Sequence, residues 1–328
     1  MRVLLSVSRL ILIFCRHIQS TFGCHACLGF GCWQTRPSCP ALKADLQDST
    51  KCGLNNLGNT CYLNALLFCL AKIRPLRQWL LQHRDVQHHE TPCWLSLLAS
   101  DLIALSSNES GSFSPVISKR RGEWHAAFAD NSQHDADEAW KKLLEACDPR
   151  GITLQMLEGS FISKLHCHHC QRQSCSACIF KSFELALPPH GRVTLDELLE
   201  TWCREEVLED YTCEVCHTEG RTSKKAVVEE NGWPSVLVIS LKRFHGLYRK
   251  IATSVACQEN WSPRADITYS LQGVLVHRGR SQIVGHYTAY VRDSSAIWYH
   301  CDDSLPPRAL ETAEEALRAE AYMLFYVR

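Results

Sequence analysis

The chain has 328 residues, 45% of them hydrophobic and 21% charged, a globular balance with enough apolar material for one large core or two ordinary ones. Thirty-five Lys and Arg offset 35 Asp and Glu, so the formal charge is zero, which sets aside a basic nucleic-acid footprint and an acidic disordered tail. No apolar run reaches the ~18–20 residues of a bilayer-crossing helix, so no stable membrane span is expected.

Nineteen cysteines cannot all pair, and secreted disulfide frameworks usually belong to shorter chains. The expectation is a reducing compartment, cytoplasmic and/or nuclear, with metal-bound and free thiols. The N-terminus keeps mitochondrial and secretory targeting open. Residues 1–44 lack Asp and Glu and carry Arg2, Arg9, Arg16, Arg36 and Lys43. Arg9 interrupts the apolar stretch Val3 to Phe14, and no clear small-x-small cleavage site follows. A poorly ordered leader is the plainest reading. Cys24, Cys27, Cys32 and Cys39, with His17 and His25, form at most a loose metal set. The polar run Lys43 to Lys51 reads as a linker, dividing a leader (1–51) from a domain (52–328).

The first element of that domain is the richest in chemistry. Gly53, Gly58 and three asparagines mark a tight turn with positive φ, and Leu63, Leu66, Leu67 and Leu70 then recur with helical period. Asn59 or Thr60 is a natural N-cap, which puts Cys61 in the first turn, where the helix dipole and free N–H groups favour a thiolate. Asn56, on the turn, is placed to aim its amide at a developing oxyanion. A buried cysteine at a helix start is the plainer alternative, and Cys69 is read that way.

Helices are expected over 61–84, 94–106 and 133–147, with an Asn/Ser/Gly loop at 106–114. From Phe161 the pattern changes to short strands: 236–241, 269–276, 285–291, 297–300 and 322–327, an antiparallel sheet. Ala309–Ala321, rich in Ala and Glu, reads as a helix before the last strand. Helices first and strands later indicate an α+β fold. Within the β region, Cys167-x2-Cys170 and Cys213-x2-Cys216 are two knuckles separated by 42 residues, a spacing suited to a closed tetrahedral Zn2+ site. Cys175-x2-Cys178 is a rival knuckle, and His168, His169 and His217 are further donors.

A nucleophilic thiol needs a base, and the base an orienting group. His286 stands in a strand-like GHYTAY segment, and Asp302 and Asp303 end WYHCDD sixteen residues on. Two adjacent antiparallel strands can join an imidazole to a carboxylate in this way.

In these segments the chain resembles the ubiquitin-specific protease family of cysteine deubiquitinases. The resemblance rests on GLNNLGNTCYLN (Gly53–Asn64), QHDADE (Gln133–Glu138), LKRF (Leu241–Phe244), GHYTAY (Gly285–Tyr290), WYHCDD (Trp298–Asp303) and AYMLFYVR (Ala321–Arg328), in that order. It covers about Cys52 to the last residue and leaves 1–51 outside.

It implies a papain-like fold with a helical thumb, a β palm and zinc-bearing β fingers. Cys61 would be the nucleophile, His286 the general base and then acid, Asp302 the residue orienting the imidazole, Asn56 an oxyanion donor, and Asp303 an assistant. It favours Cys167, Cys170, Cys213 and Cys216 as structural zinc ligands, leaving Cys175 and Cys178 spare. The implied partners are ubiquitin and ubiquitinated proteins, whose arginine-bearing, diglycine-ended tail would meet Gln133, Asp135, Glu138, Phe244 and Tyr287. A protease for a ubiquitin-like modifier and an inactive ubiquitin-binding scaffold are the alternatives. Phe68, where many members have Gln, and Ala139, where Phe is usual, depart from the pattern.

Overall fold

The computed structural model describes residues 48–83, 93–149, 154–245, 249–281 and 284–328. The targeting readings and the loose set of Cys24, Cys27, Cys32, Cys39, His17 and His25 lie outside these residues. Of the expected linker, residues 48–51 are tied down: Ser49 N–H donates to the Ser106 carbonyl at 2.9 Å, and Asp48 pairs with Lys72 at 2.8 Å.

Helix α1 (Cys61–Leu70) was expected to be amphipathic, yet all ten of its residues are buried. It is a central helix, enclosed by α3 (Trp94–Ser107), α4 (Ala136–Cys147) and the sheet. Its Leu63, Leu66 and Leu67 are at most 1% exposed. Each such side chain contributes roughly 1.5–3 kcal/mol, which anchors Cys61 rigidly. The helix expected over 61–84 breaks after Leu70 and resumes as α2 (Arg74–His83). Pro75 explains the break: inside a continuous helix it would lack an N–H for Ala71 and clash with the preceding turn, whereas the first turn of a new helix tolerates it.

The palm is a mixed sheet. Its order is β11 (Arg308–Ala309), β10 (Trp298–Cys301), β9 (Val284–Arg292), β8 (Ile267–Ser281), β12 (Ala321–Val327), β6 (Val236–Lys242) and β3 (Phe183–Ala186), with β7 (Asn260–Arg264) also paired to β8. Only β3 and β6 run parallel within it. Along β6, Val236 and Val238 join the core shared with the helices, while Leu237, Ile239 and Leu241 join a second core with α5 (Leu195–Cys203). β12 divides likewise, Met323 and Phe325 against Leu324 and Tyr326. Both faces are therefore covered, which accounts for the unbroken apolar runs in these strands.

The fingers are a separate antiparallel sheet ordered β2 (Gln173–Phe180), β1 (Gly159–Cys167), β5 (Glu219–Val227) and β4 (Glu206–Thr212). The helix expected over Ala309–Ala321 shrinks to one turn, α6 (Glu314–Leu317), because its ends are drawn into β11 and β12. Ladder pairing outweighs the weak helical preference of Ala and Glu there. No helix among the described residues is long and apolar enough to cross a membrane.

Candidate active site

The turn before α1 is built as its glycine and asparagines suggest, though not glycine by glycine. Gly58 has φ +90° and Asn59 φ +54°, so the left-handed stretch falls there and not at Gly53. Gly53 serves close approach: a Cβ on it would lie 2.7 Å from the Ser304 backbone. Leu54 N–H donates to the Asp303 carbonyl at 2.7 Å, so this strand is fastened directly to the turn that carries the acidic pair. Asn56 Oδ1 accepts from Thr60 N–H at 3.0 Å, and Thr60 Oγ1 accepts from Leu57 N–H at 2.8 Å. Thr60 thus braces the turn and places no side-chain cap on α1. The first-turn N–H groups of α1 are left without a side-chain cap.

His286 comes from β9 and Asp302 from the end of β10. The register pairs Ala289 with Cys301 and Tyr290 with His300, which brings the two side chains together diagonally at the strand ends. His286 Nε2 lies 2.6 Å from Asp302 Oδ1. Cys61 is the strongest influence on the His286 ring, and with Nε2 engaged by Asp302, Nδ1 is the nitrogen left for the sulfur. The interaction with Cys61, and after it that with the Asp302 carboxylate, outweighs burial and pushes the imidazole up to about 9. Cys61, His286 and Asp302, spread over 241 positions of sequence (302 − 61), meet in one place.

Asp303 completes a second, parallel arrangement. Its backbone is left-handed (φ +43°), turning its carboxylate back toward α1. Oδ2 accepts from Asn56 Nδ2 and Oδ1 from Asn64 Nδ2, each at 2.8 Å. The exposed Asn56 amide is thereby held with its second N–H free to point elsewhere. Asn64 was missed as a working residue. Its signal is a lone amide three positions after Cys61 in an otherwise apolar, fully buried helix.

The residues expected to meet a substrate tail divide into two kinds. Gln133 is a clamp: its Nε2 donates to the Gly285 carbonyl at 2.7 Å and its Oε1 accepts from the Gly285 N–H at 2.8 Å, fixing the strand just before His286. Asp135 lines the cleft that also holds Glu138 and Phe244, but it is largely engaged by the fold. It is 7% exposed, caps α4 through the N–H groups of Asp137 and Glu138, and accepts from the Tyr322 hydroxyl at 2.5 Å. Tyr287 is likewise buried, its ring 4.6 Å from that of His277, and fills the core instead of the cleft. Glu138 is exposed and Phe244 half-buried, and both line a cleft of about 500 Å³ between α4 and β6.

His277 was also overlooked. It is 1% exposed between the rings of Phe244 and Tyr287, and burial, then the nearby Lys250 and His286 charges, push it down to about 4. It packs as a neutral ring.

At the far end of the fingers the two knuckles are the hairpin turns β1–β2 and β4–β5. Each closes the same way: Gln171 N–H donates to Cys167 O and His217 N–H to Cys213 O, with Gln171 and His217 at φ +59° and +55°. Cys167 and Cys216 sulfurs are 4.0 Å apart, Cys170 and Cys213 3.9 Å, and all four lie within 4.8 Å of one another. Tetrahedral thiolates on zinc sit about 3.8 Å apart, so the set fits the ion. Backbone and side-chain hydrogen bonds from Thr218 pull Cys216 down to about 6. The Arg172 N–H favours a Cys170 thiolate, but the neighbouring sulfurs override it and push that thiol up to about 11. Cys175 and Cys178 lie on β2 three residues apart, hence on opposite faces of the strand, and form no rival knuckle.

A thiol at a helix start facing an imidazole on a sheet, with the imidazole braced by a carboxylate, is the papain-like arrangement, here with added fingers. Comparison with known proteins is specific. Residues 52–326 match the family model described as ubiquitin carboxyl-terminal hydrolase, and the chain belongs to that family. It is 29% identical to ubiquitin carboxyl-terminal hydrolase 25 of Arabidopsis thaliana, an alignment covering 84% of this chain and 47% of that protein. To ubiquitin carboxyl-terminal hydrolase 42 of Homo sapiens it is 28% identical, covering 84% and 23%. The chain thus spans between about a quarter and a half of these relatives' length. Among solved structures, the SAGA Ubp8/Sgf11/Sus1/Sgf73 DUB module bound to ubiquitin aldehyde superposes with TM-score 0.70 at 25% identity, covering 86% of this chain and 70% of that one.

Proposed function

We propose that the chain is a thiol-dependent deubiquitinase that hydrolyses the isopeptide or peptide bond after the C-terminal glycine of ubiquitin on protein conjugates. The observation that carries this reading is the convergence of Cys61, His286 and Asp302. The Cys61 thiolate attacks the glycine carbonyl carbon, forming a C–S bond and placing a negative charge on the oxygen. Asn56 Nδ2 and first-turn N–H groups of α1 supply donors for that charge. His286, protonated while the thiolate attacks, gives its proton to the leaving amine as the C–N bond breaks. It then takes a proton from water, whose oxygen attacks the thioester and releases the carboxylate and the thiolate. Asp302 holds the imidazole in the required tautomer, and Asp303 positions Asn56.

Glu138 and the cleft beside Phe244 would receive the arginine-bearing tail. Zinc, bound by Cys167, Cys170, Cys213 and Cys216, would close the finger hairpins as a structural ion. Residues 52–328 form the proposed catalytic domain behind a leader. A cytoplasmic and/or nuclear setting suits a thiolate nucleophile and a four-thiol cluster, both of which require reduced sulfur.

The test is covalent labelling by ubiquitin carrying a C-terminal electrophile, together with turnover of a fluorogenic ubiquitin amide. Cys61→Ala is expected to abolish labelling and to lower turnover by on the order of 10⁴-fold or more. Labelling of that variant at the wild-type rate would sink the assignment. Faster turnover of a ubiquitin-like modifier in the same assay would redirect the substrate while keeping the chemistry.

A further inference from the structure

Two cavities open side by side on the face between thumb, palm and fingers. One, of about 540 Å³, is walled largely by Trp140, Leu144, Phe161, Ile179, Phe180 and Trp202. The other is the charged cleft of about 500 Å³ that holds Glu138 and Phe244. Lys141, Glu184 and Lys242 line both and form the ridge between them.

The ridge is a chain of ion pairs. Lys141 Nζ lies 2.6 Å from Asp137 Oδ2 and 2.5 Å from Glu184 Oε1, and Lys242 Nζ lies 2.5 Å from Glu184 Oε2. Asp137 also accepts from Ser182 Oγ at 3.2 Å. Nearby, Lys142 pairs with Glu145 at 2.9 Å. Asp137, Glu145 and Glu184 are thus answered by the chain's own lysines, Asp135 accepts from the Tyr322 hydroxyl, and Glu138 is exposed. The pairs on Glu184 are exposed at both ends (Lys242 57%, Lys141 39%, Glu184 36%) and individually weak, whereas Lys141 reaches inward to Asp137, whose side chain is only 13% exposed.

We propose that Lys141 is a specificity-determining residue, an internal competitor that occupies Asp137 and Glu184 and must be displaced by an arginine-bearing segment of the substrate. The inference rests on the proposed function and deepens it. A guanidinium can take two carboxylate oxygens at once, which an ammonium cannot, so arginine is the cation suited to win this exchange. A tail without a cation at the ridge gains nothing from Asp137 and Glu184 and meets a cleft already neutralised.

The variants that test this have opposite signs. Lys141→Gln uncovers two carboxylates and is expected to lower KM for a ubiquitin amide about threefold at low salt, with kcat moving less and the gain fading as salt screens the charges. Glu184→Gln leaves Lys141 in excess and is expected to raise KM by about the same factor. If Lys141→Gln does not fold, Lys242→Gln, which frees Glu184 from the exposed side, carries the same expected sign. Shifts of KM in one direction for the lysine and glutamate variants alike, an unchanged or raised KM for the lysine variants, or effects confined to kcat would overturn the proposal. Wild-type turnover reports on the functional reading alone, whereas ubiquitin affinity measured calorimetrically on the same variants yields the ratio whether or not turnover occurs.

Discussion

The catalytic cleft and the fingertip both gather ionisable groups, but they resolve the charge problem differently. Around the nucleophile the charged groups have protein partners: His286 between Cys61 and Asp302, and Asp303 between two asparagine amides. At the fingertip four sulfurs face one another, and hydrogen bonds that pull Cys216 down coexist with crowding that pushes Cys170 up. All four ligand atoms of that cluster are cysteine sulfurs. The catalytic groups are answered by the polypeptide itself, whereas the fingertip is a set of four sulfurs that could bind a metal ion.

That contrast predicts different responses to metal removal. Cys216→Ser, or prolonged chelation, is expected to drop zinc content from about one ion per chain to near none and to melt the fingers, read by metal analysis and by amide exchange in β1, β2, β4 and β5. Cys61 should still react with a small alkylating agent, since α1 and the palm have a core of their own. Loss of that reactivity in step with the metal would show that the two regions are not independent.

Within the cleft, Asp303→Asn tests the second arrangement. An amide there offers one acceptor in place of two carboxylate oxygens, so Asn56 or Asn64 loses its partner. A fall in kcat of roughly 10–100-fold with little change in KM is expected if Asn56 acts in the transition state. A change in KM alone would assign Asp303 to substrate binding.

The smallest expected effect is a shift along the pH axis. The folded value of His286, about 9, is raised above the usual ~6.5, so its stabilising contribution is complete below about 6.5 and is lost as pH rises through 9. The alkaline limb of kcat/KM should therefore fall near pH 9. Asp302→Asn removes one of the groups holding the proton, and the limb should move to lower pH. His277 has the opposite sign: its folded value near 4 means stability is lost as pH falls below about 6.5, and His277→Phe should flatten that acid limb in a melting series. An alkaline limb that stays in place in Asp302→Asn would break the link between Asp302 and the imidazole.

Much of this was legible in one sequence, for identifiable reasons. The α1 nucleophile loop announced itself through Gly58 and its asparagines, because few residue types tolerate the left-handed backbone found at 58–59. The finger knuckles were legible because two thiol pairs, each with two residues between its cysteines, have the spacing of a four-sulfur metal site. Burial was harder to read. The leucine period of α1 suggested one wet face, but apolar and small residues cannot reveal that sheet and helices enclose the helix on every side. Tyr287 looked like a substrate contact because an aromatic side chain near a nucleophile resembles a binding wall until its burial is known, and Asp135, which does line the cleft, gives no sign in the sequence of how deeply it is held.

The amino-acid order by itself determined which groups can do chemistry: the thiol, the imidazole, the carboxylates, the four cysteines, and the local turns that present them. These are properties of residue type and of backbone preference a few positions either way. Only the tertiary structure decided which carboxylates are spent on the fold and which stay available, because that depends on neighbours supplied from elsewhere in the chain. Asp135 is spent on Tyr322, 187 positions away, and Asp303 on Asn56, 247 positions away. No local pattern encodes partners at that distance.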